Sequence, residues 1–311
     1  MIAGTGTLEP ELTWNLVADV RALFTYPFMV DALQAGTIVA VLGGVIGWFT
    51  VLRRQAFTAH TLAVVGFPGA AGAILVGVSA TAGFFAFAVA AAVVIGLIPS
   101  SGRVGYATTE SALTGTVQAT ALALGFVFSS LYGGFSSGAG ALLFGSFLGI
   151  TPEQVRVLLG VAVAALAVLA VLARRLLFAT VDPAVAAARG IRVRATSLVF
   201  LLLLAVTAAE VAQITGTLLV FALLIVPAAT AQAMTARPVL GLGLAVAVGL
   251  LVSWVSLFVA YYEPYPIGFL LTSLAFAVYV VVALSQRQAR TATLRRVLDL
   301  RRSEAPAGTG G

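Results

Sequence analysis

The sequence predicts an all-α membrane protein, a polytopic bundle of eight or nine transmembrane helices. Hydrophobic residues make up 61% of the chain and charged residues 9%, whereas soluble domains carry about 25% charged residues. The charges also leave long gaps, for example between Arg54 and Arg103 and between Glu110 and Glu153. A helix needs about 20 apolar residues to cross the bilayer core, and the chain supplies that length many times.

Turn residues and hydropathy divide the chain into three parts: a lead-in at 1–27, a membrane region at 28–285 and a basic tail at 286–311. The lead-in is compatible with either a short interfacial helix or a loosely ordered segment. The predicted spans lie near 28–52, 58–77, 81–99, 109–132, 155–178, 195–214, 217–235, 239–261 and 264–285. The Gly- and Ser-rich stretch 133–140 predicts a loop. Residues 141–150 predict a half-span or a re-entrant segment.

The arginines predict the orientation. Most of them fall after the first, third, fifth and seventh predicted spans and in the tail, so an even number of spans separates these groups: Arg53 and Arg54, Arg103, Arg174 to Arg194, Arg237, and Arg287 to Arg302. Positive residues favour the cytoplasmic side of a membrane. We therefore expect the C-terminus in the cytoplasm, with its basic tail lying on anionic lipid.

Composition also excludes several classes of protein. All 17 basic residues are Arg, and a Walker A loop needs a Lys to reach the nucleotide phosphates. The chain is therefore not a conventional ATPase. It has no Cys and one His, His60, which excludes thiolate chemistry and multi-histidine metal centres. Since the arginines lie between apolar spans, the net charge of +6 does not indicate nucleic-acid binding.

Small residues are abundant and predict a tightly packed bundle. Gly43 with Gly47, and Gly145 with Gly149, have the four-residue spacing that lets membrane helices approach closely. In a chain with 32 glycines such pairs also arise by chance. They support close packing and indicate no particular site.

Five stretches resemble, in the same order, motifs of the permease subunits of bacterial zinc, manganese and iron(II) ABC importers. The most specific is 216–231, which resembles the family pattern GxLLVxALLxxPAATA. The others are 52–57 with 67–69 (LRRxAF and LPG in the family), 143–148 with 151–153, 182–191 and 262–268. The resemblance covers roughly residues 28–285.

The resemblance implies a fold like that of type II ABC importers, in the bacterial cell membrane. It implies a homodimer, or a pair of similar permeases, that encloses a central path for a divalent metal ion, with zinc or manganese expected. Two cytoplasmic ATPase subunits would hydrolyse the ATP, and an extracytoplasmic metal-binding protein would deliver the ion. The permease itself would be no enzyme and would hold no tightly bound cofactor.

His60 is the tentative metal contact. The family commonly reads GDxLxHA after the RRxAF motif, which places an acid and a His on one helical face. In this chain His60 stands in the place of the acid and Val64 in the place of the His. His60 either lines the path, paired with its copy in a dimer, or hydrogen-bonds to backbone or lipid near the end of a span.

Glu210, with Gln213 one turn later, lies within an apolar span. Carboxylates inside a membrane are costly and almost always face the bundle interior or water. Glu210 either lines the path or serves as the partner of a buried polar group.

A hinge and two contacts with the ATPase are also predicted. Pro227, within the motif that includes Gly216 and Thr230, removes a helix hydrogen bond and predicts a kink. Broken helices form sites and hinges in transporters. The loop at 232–238, with Met234, Thr235 and Arg237, is the favoured contact with the ATPase. The loop at 180–193, with Asp182 and Arg189, is the second candidate.

Two other classes of function are weaker. A secondary transporter driven by an ion gradient could use Glu210 for proton or cation coupling, but it predicts inverted repeats, and the two halves show no convincing match. An intramembrane enzyme would need a constellation of catalytic groups, which one His and no Cys make unfavourable.

Overall fold

The computed structural model describes residues 15–97, 106–131, 145, 147–217 and 219–304, and all regular structure among them is helical. This confirms the predicted all-α class. The α-helices are α1 (Leu16–Leu23), α2 (Pro27–Leu52), α3 (Ala56–Leu75), α4 (Ala80–Leu97), α5 (Tyr106–Leu131), α6 (Pro152–Val181), α7 (Pro183–Ala188), α8 (Val193–Thr215), α9 (Val226–Met234), α10 (Pro238–Tyr262) and α11 (Ile267–Glu304). A 3-10 turn (Phe147–Gly149) precedes α6, and a π-helix (Phe221–Ile225) leads directly into α9.

Eight helices of the described residues are long and apolar enough to cross a membrane. They are α2, α3, α4, α5, α6, α8, α10 and α11, and they match eight of the nine predicted spans. The predicted span at 217–235 is different: an irregular stretch leads into the shorter apolar helix Phe221–Met234. At about 1.5 Å of rise per residue, this helix is too short for a core about 30 Å thick.

Helices α2, α3 and α8 form the centre of the bundle. Helix α2 packs against α6, α8 and α10 and also against the π-helix, while α3 lies against α4, α5 and α8. These three central helices bury much of their surface, whereas α4, α5, α6, α10 and α11 leave broad apolar faces exposed. The exposed faces suit a chain surrounded by lipid or by a second membrane subunit.

A seam of small residues joins α2 to the antiparallel helix α10. A Cβ added at Gly44 would lie 2.9 Å from the backbone of Val246, so the two backbones approach as closely as glycine permits. Small residues recur every four positions on α10 and at three of the four facing positions on α2, as in other closely packed membrane helices. The facing pairs are Gly36 with Ser253, Ala40 with Gly249, Gly44 with Ala245 and Trp48 with Gly241.

The arginines of the inter-helix connections gather at one end of the bundle. The Arg53 guanidinium donates to Thr180 Oγ1 (3.0 Å) and Ser197 Oγ (2.9 Å), which brings the α2–α3 corner to the end of α6 and the start of α8. Gln232 Nε2, near the end of α9, donates to the carbonyl oxygen of Trp48 at the same end of α2 (2.8 Å). We call this the arginine-rich end. Its cytoplasmic location stays a prediction.

The opposite end holds the start of α2 and the short helix α1. The hydroxyl of Tyr262, the last residue of α10, donates to the carbonyl oxygen of Asp19 in α1 (2.9 Å). Helix α1 lies within the predicted lead-in, and its interfacial position stays a prediction. The predicted loop at 133–140, Arg103, residues 141–144, the first 14 residues and 305–311 lie outside the described residues.

Candidate translocation site

The chain breaks its helical course inside the bundle between α8 and α9. Gly216 ends α8 with φ 83°, a left-handed conformation that glycine adopts without strain. The π-helix then begins at Phe221, and the N–H of Val226 bonds to the carbonyl oxygen of Phe221, five residues earlier. Pro227 follows; because proline has no N–H and its ring crowds the preceding turn, the widened turn is a direct consequence of this residue.

The backbone of the π-helix rests on the glycines of α2. A Cβ added at Gly43 would lie 3.1 Å from the carbonyl oxygen of Leu223, and one at Gly47 would overlap the carbonyl oxygen of Leu224. The carbonyl of Leu223 is the group that would have bonded to an N–H at position 227 in a regular helix. The pair Gly43 and Gly47, predicted only as general close packing, therefore accommodates the irregular backbone that Pro227 produces.

A second irregular segment supports the break from the opposite end. Gly145 has φ 78°, and a Cβ there would overlap the backbone of residues 214–216. The 3-10 turn that follows places the Phe147 ring against Gly36 of α2. Two non-helical segments, one from each half of the chain, thus meet near the end of α8.

A cleft of about 600 Å³ opens beside these segments. Ile214, Thr215 and Leu219 form one wall, and the start of α11 around Gly268 forms the other. The lining is mainly apolar and includes the ring of Tyr265. The cleft lies at the end of the bundle opposite to the arginines, because it includes the connection between α10 and α11.

His60 lies in the first two turns of α3 and contacts the start of the π-helix. Its ring centroid is 5.0 Å from that of Phe221. The imidazole is partly exposed, while its Nδ1 atom is buried and has no hydrogen-bond partner. A ring nitrogen without a protein partner beside an irregular helix is available to a cation, since neutral imidazole is a common metal ligand.

Glu210 is buried on α8, with a relative exposure of 2%. Its Oε2 atom has no hydrogen-bond partner. Ile214, one turn later on the same helix, lines the cleft wall. Glu210 therefore lies one helical turn from that wall, toward the arginine-rich end. The Gln213 amide donates to the carbonyl oxygen of Ala209 in its own helix (3.5 Å) and gives Glu210 no partner.

The structure does not bring His60 and Glu210 together within one protomer. Both His60 Nδ1 and Glu210 Oε2 lack a hydrogen-bond partner, so no hydrogen bond between these two atoms joins the side chains. Within the described part of the chain, no three His, Cys, Asp or Glu side chains gather as a metal-binding group. The described residues of one protomer therefore form no closed site of three or more such ligands.

The hinge and coupling candidates occupy distinct positions. Thr230 bonds to the carbonyl oxygen of Val226 within α9 (2.8 Å), so it supports the helix and does not reach another element. Helix α9 ends at Met234, and the connection Thr235 to Arg237 turns tightly, with the Arg237 N–H donating to Thr235 Oγ1 (3.2 Å). Met234 and Arg237 are exposed.

The second coupling candidate forms a compact corner. The Asp182 carboxylate caps α7 by accepting from the Val185 N–H (2.9 Å). Arg189 is exposed, and its guanidinium lies 5.7 Å from the ring centroid of Phe178. Both side chains are at the arginine-rich end, like the first candidate.

Arg53 has a structural role that was not predicted from the sequence, where it counted only as a positive charge. Besides Thr180 and Ser197, it contacts Gln55 Oε1 (3.2 Å) and lies 5.3 Å from the ring centroid of Phe200. It thereby joins the start of α3 to both α6 and α8. Its place in the LRRxAF stretch was the available indication, but its partners lie 127 and 144 residues away along the chain.

Relatives of this chain include membrane proteins named for manganese transport. The sequence model of the ABC 3 transport family matches residues 25–286. The "Manganese transport system membrane protein MntC" of Halalkalibacterium halodurans is 29% identical over 72% of this chain and 75% of its own length. The "Manganese import system permease protein ScaB" of Streptococcus pneumoniae is 27% identical over 86% of this chain and 95% of its own.

Solved structures share the fold. The permease in "PsaBC from Streptococcus pneumoniae in complex with Fab" superposes with a TM-score of 0.76 at 23% identity, over 89% of this chain and 99% of that one. A structure described as an inward-facing, metal-chelate type ABC transporter gives a TM-score of 0.62 at 17% identity, over 87% and 89% of the two chains. These matches do not support a secondary transporter driven by an ion gradient.

Proposed function

Since this chain belongs to the ABC 3 transport family, we propose that it is the membrane-spanning permease subunit of an importer for a divalent metal ion, with manganese as the favoured ion. Relatives named for manganese transport support that choice. A further relative, the "Chelated iron transport system membrane protein YfeC" of Yersinia pestis, is 26% identical over 83% of this chain. Zinc is the alternative cargo.

The contact between His60 and the π-helix is the observation that carries the proposal for the site. An ion bound at His60 would touch the element that follows the break at Gly216 and precedes Pro227. Because one protomer supplies a single imidazole there, we propose that a second copy supplies its own His60 across a central path. Weak binding by few ligands suits a path that must release its ion.

Energy for transport would come from partner chains. We propose that cytoplasmic ATPase subunits dock mainly against Met234, Thr235 and Arg237. This short connection follows α9 directly, and α9 continues from the π-helix that contacts His60. A movement of the connection would therefore reach the ion through one continuous helix. An extracytoplasmic metal-binding protein would deliver the ion at the opposite end, where the cleft opens.

The decisive experiment is ATP-dependent uptake of manganese and zinc into vesicles that hold this chain, its ATPase and its binding protein. We expect uptake of one metal by the native complex and at least about a tenfold lower rate for His60→Ala, because the variant lacks the imidazole that would contact the ion beside the π-helix. Thr116→Ala is the control: Thr116 is exposed on α5 and bonds only within its own helix.

Two further outcomes separate the parts of the proposal. The double variant His60→Asp with Val64→His restores the acid and His pair of the related importers, and we expect it to recover uptake. Normal uptake by an assembled His60→Ala complex would remove His60 from the path and leave the importer intact. A native complex that moves neither metal would contradict the proposed function itself.

A further inference from the structure

Two adjoining basic clefts lie at the arginine-rich end, between α6, α7 and the start of α8. The first, of about 510 Å³, is lined by Arg175, Arg189 and Arg192. The second, of about 750 Å³, is lined by Arg53, Arg192 and Arg194. Arg192 belongs to both clefts, so they form one continuous surface, which we call the arginine groove.

Four arginines of the arginine groove carry charge that no carboxylate among the described residues neutralises. Among the described residues, no carboxylate forms an ion pair with Arg175, Arg189, Arg192 or Arg194. The nearest acid in sequence, Asp182, is engaged in capping α7. Since guanidinium groups stay protonated in proteins, several fixed positive charges converge here and create a strong local attraction for anions.

The groove continues into an apolar surface that faces outward. On α6, Val171 lies one helical turn before Arg175 and is 83% exposed, and Val168 is exposed one turn farther from the arginine-rich end. Leu172 lines the first cleft beside Arg175. An apolar helix face therefore ends at a cluster of cations.

From this arrangement we infer that the arginine groove binds the head group of an anionic phospholipid, whose acyl chains lie along the exposed valines of α6. Guanidinium groups match the geometry of phosphate oxygens well. Basic pockets between membrane helices on the cytoplasmic side are typical sites for anionic head groups. A free anion would use the arginines and leave the apolar track without a role, so the lipid accounts for both halves of the surface.

The inference also distinguishes the two loops at this end. The lipid occupies the corner around Arg189, which leaves the connection from Met234 to Arg237 as the ATPase contact. The site does not depend on the identity of the transported ion. It therefore stands or falls separately from the proposed function.

Thermal unfolding of the full-length protein in detergent tests the inference, with dioleoylphosphatidylglycerol or dioleoylphosphatidylethanolamine added. We expect the anionic lipid to raise the unfolding temperature in a saturable and salt-sensitive way, and the zwitterionic lipid to have little effect. In Arg175→Gln with Arg192→Gln, the apparent affinity for the anionic lipid should fall about 10- to 30-fold, since each cation contributes about a three- to fivefold factor.

Arg174→Gln is the matched control, because Arg174 is exposed on the same turn of α6 but lines neither cleft. We expect it to bind the lipid like the native protein. Native mass spectrometry should likewise find fewer co-purified anionic lipids on the double variant than on the control. If the double variant does not fold, Arg175→Lys with Arg192→Lys tests the same surface, and it should weaken binding less than the Gln pair would.

Several outcomes would overturn the inference. Equal stabilisation by the two lipids, or an equal loss of affinity in Arg174→Gln, would indicate general charge attraction without a built site. Stabilisation by inorganic phosphate alone would indicate a small-anion site. Loss of the lipid effect when the ATPase is added would assign the surface to that partner.

Discussion

Glu210 is the residue whose environment is hardest to reconcile with a purely structural role. Its carboxyl group is almost fully buried, and one oxygen lacks a partner, an arrangement that costs the free energy of removing a charged or polar group from water. The structure therefore shows no hydrogen-bond partner for this oxygen that would explain a structural role. We propose that Glu210 contacts the transported ion, since Ile214, one turn away, lines the cleft.

Glu210→Gln should separate stability from transport. We expect the free energy of unfolding to change by less than about 1 kcal/mol, because the amide keeps the shape of the carboxyl and is likewise a buried polar group without a partner. We also expect metal uptake to fall several-fold, since the amide attracts a cation less strongly. The measurements are thermal unfolding in detergent and ATP-dependent uptake in vesicles.

Ser256→Ala is the matched control for Glu210, because it also removes a buried hydrogen-bonding atom without a partner. It should stabilise slightly and leave uptake unchanged. A Glu210→Gln protein with native uptake would show that the carboxyl does not act on the ion, whatever its stability.

At the scale of elements, the π-helix and the glycines of α2 depend on each other. Pro227 widens the turn before it, and the displaced carbonyl groups of Leu223 and Leu224 fit only against residues without side chains. The same contact sets the position of Phe221 relative to His60. The break is therefore held in place by α2 and is not a loosely attached loop.

Gly47→Ala should destabilise the protein strongly. A Cβ at this position would overlap the carbonyl oxygen of Leu224, and overpacking of this kind costs about 1–3 kcal/mol. Thermal unfolding in detergent measures the loss. Gly243→Ala on α10 is the matched control, since a Cβ there meets nothing within 4 Å; it should be neutral or stabilise by up to about 1 kcal/mol. Equal effects of the two changes would refute the packing explanation.

Hydropathy predicted eight helices because each has an uninterrupted apolar stretch of full length. The stretch 217–235 is equally apolar, and that is why it was predicted as a ninth span. What shortens it is backbone geometry: the left-handed Gly216 and the missing N–H of Pro227. Both residues were identified from the sequence. Hydropathy, however, measures only the free energy of transfer to lipid, so it cannot locate the break.

The candidate site was likewise predicted only in part: its residues were identified from the sequence, and most of its contacts were not. His60, Gly216 and Pro227 were predicted from motif positions, and their proximity through Phe221 was not, because it depends on how α3 packs against a distant segment. Glu210 was predicted from its charge in an apolar span. The arginine groove was not predicted, since it forms only when α6, α7 and α8 meet.

The whole molecule is polarised by charge. The described connections at the arginine-rich end carry many arginines and one acid, Asp182, whereas the opposite end carries the four acids Asp19, Asp31, Glu153 and Glu263 and the two arginines Arg21 and Arg156. Membrane insertion places positive connections in the cytoplasm. We therefore expect this distribution to orient the chain in the membrane, in addition to forming the lipid site proposed above.

Labelling of introduced cysteines should test this orientation, and the chain has no native Cys to interfere. Tyr265→Cys, in the exposed connection between α10 and α11, should react with a membrane-impermeant maleimide on intact cells. Ala188→Cys, exposed at the end of α7, should react only after the membrane is permeabilised. The measurement is the labelled fraction on gels, and the reverse pattern would invert the proposed topology.

The seam between α2 and α10 has a mechanical consequence. Most of the facing residues are glycine or alanine, which have no side-chain rotamers to exchange. If one helix slid past the other, close backbone contacts would separate and few side chains could fill the gap. We expect α2 and α10 to move as one rigid body throughout a transport cycle. A change between outward and inward access would then occur in the irregular segments, the π-helix after Gly216 and the 3-10 turn before α6. These segments would move relative to the rigid pair of α2 and α10.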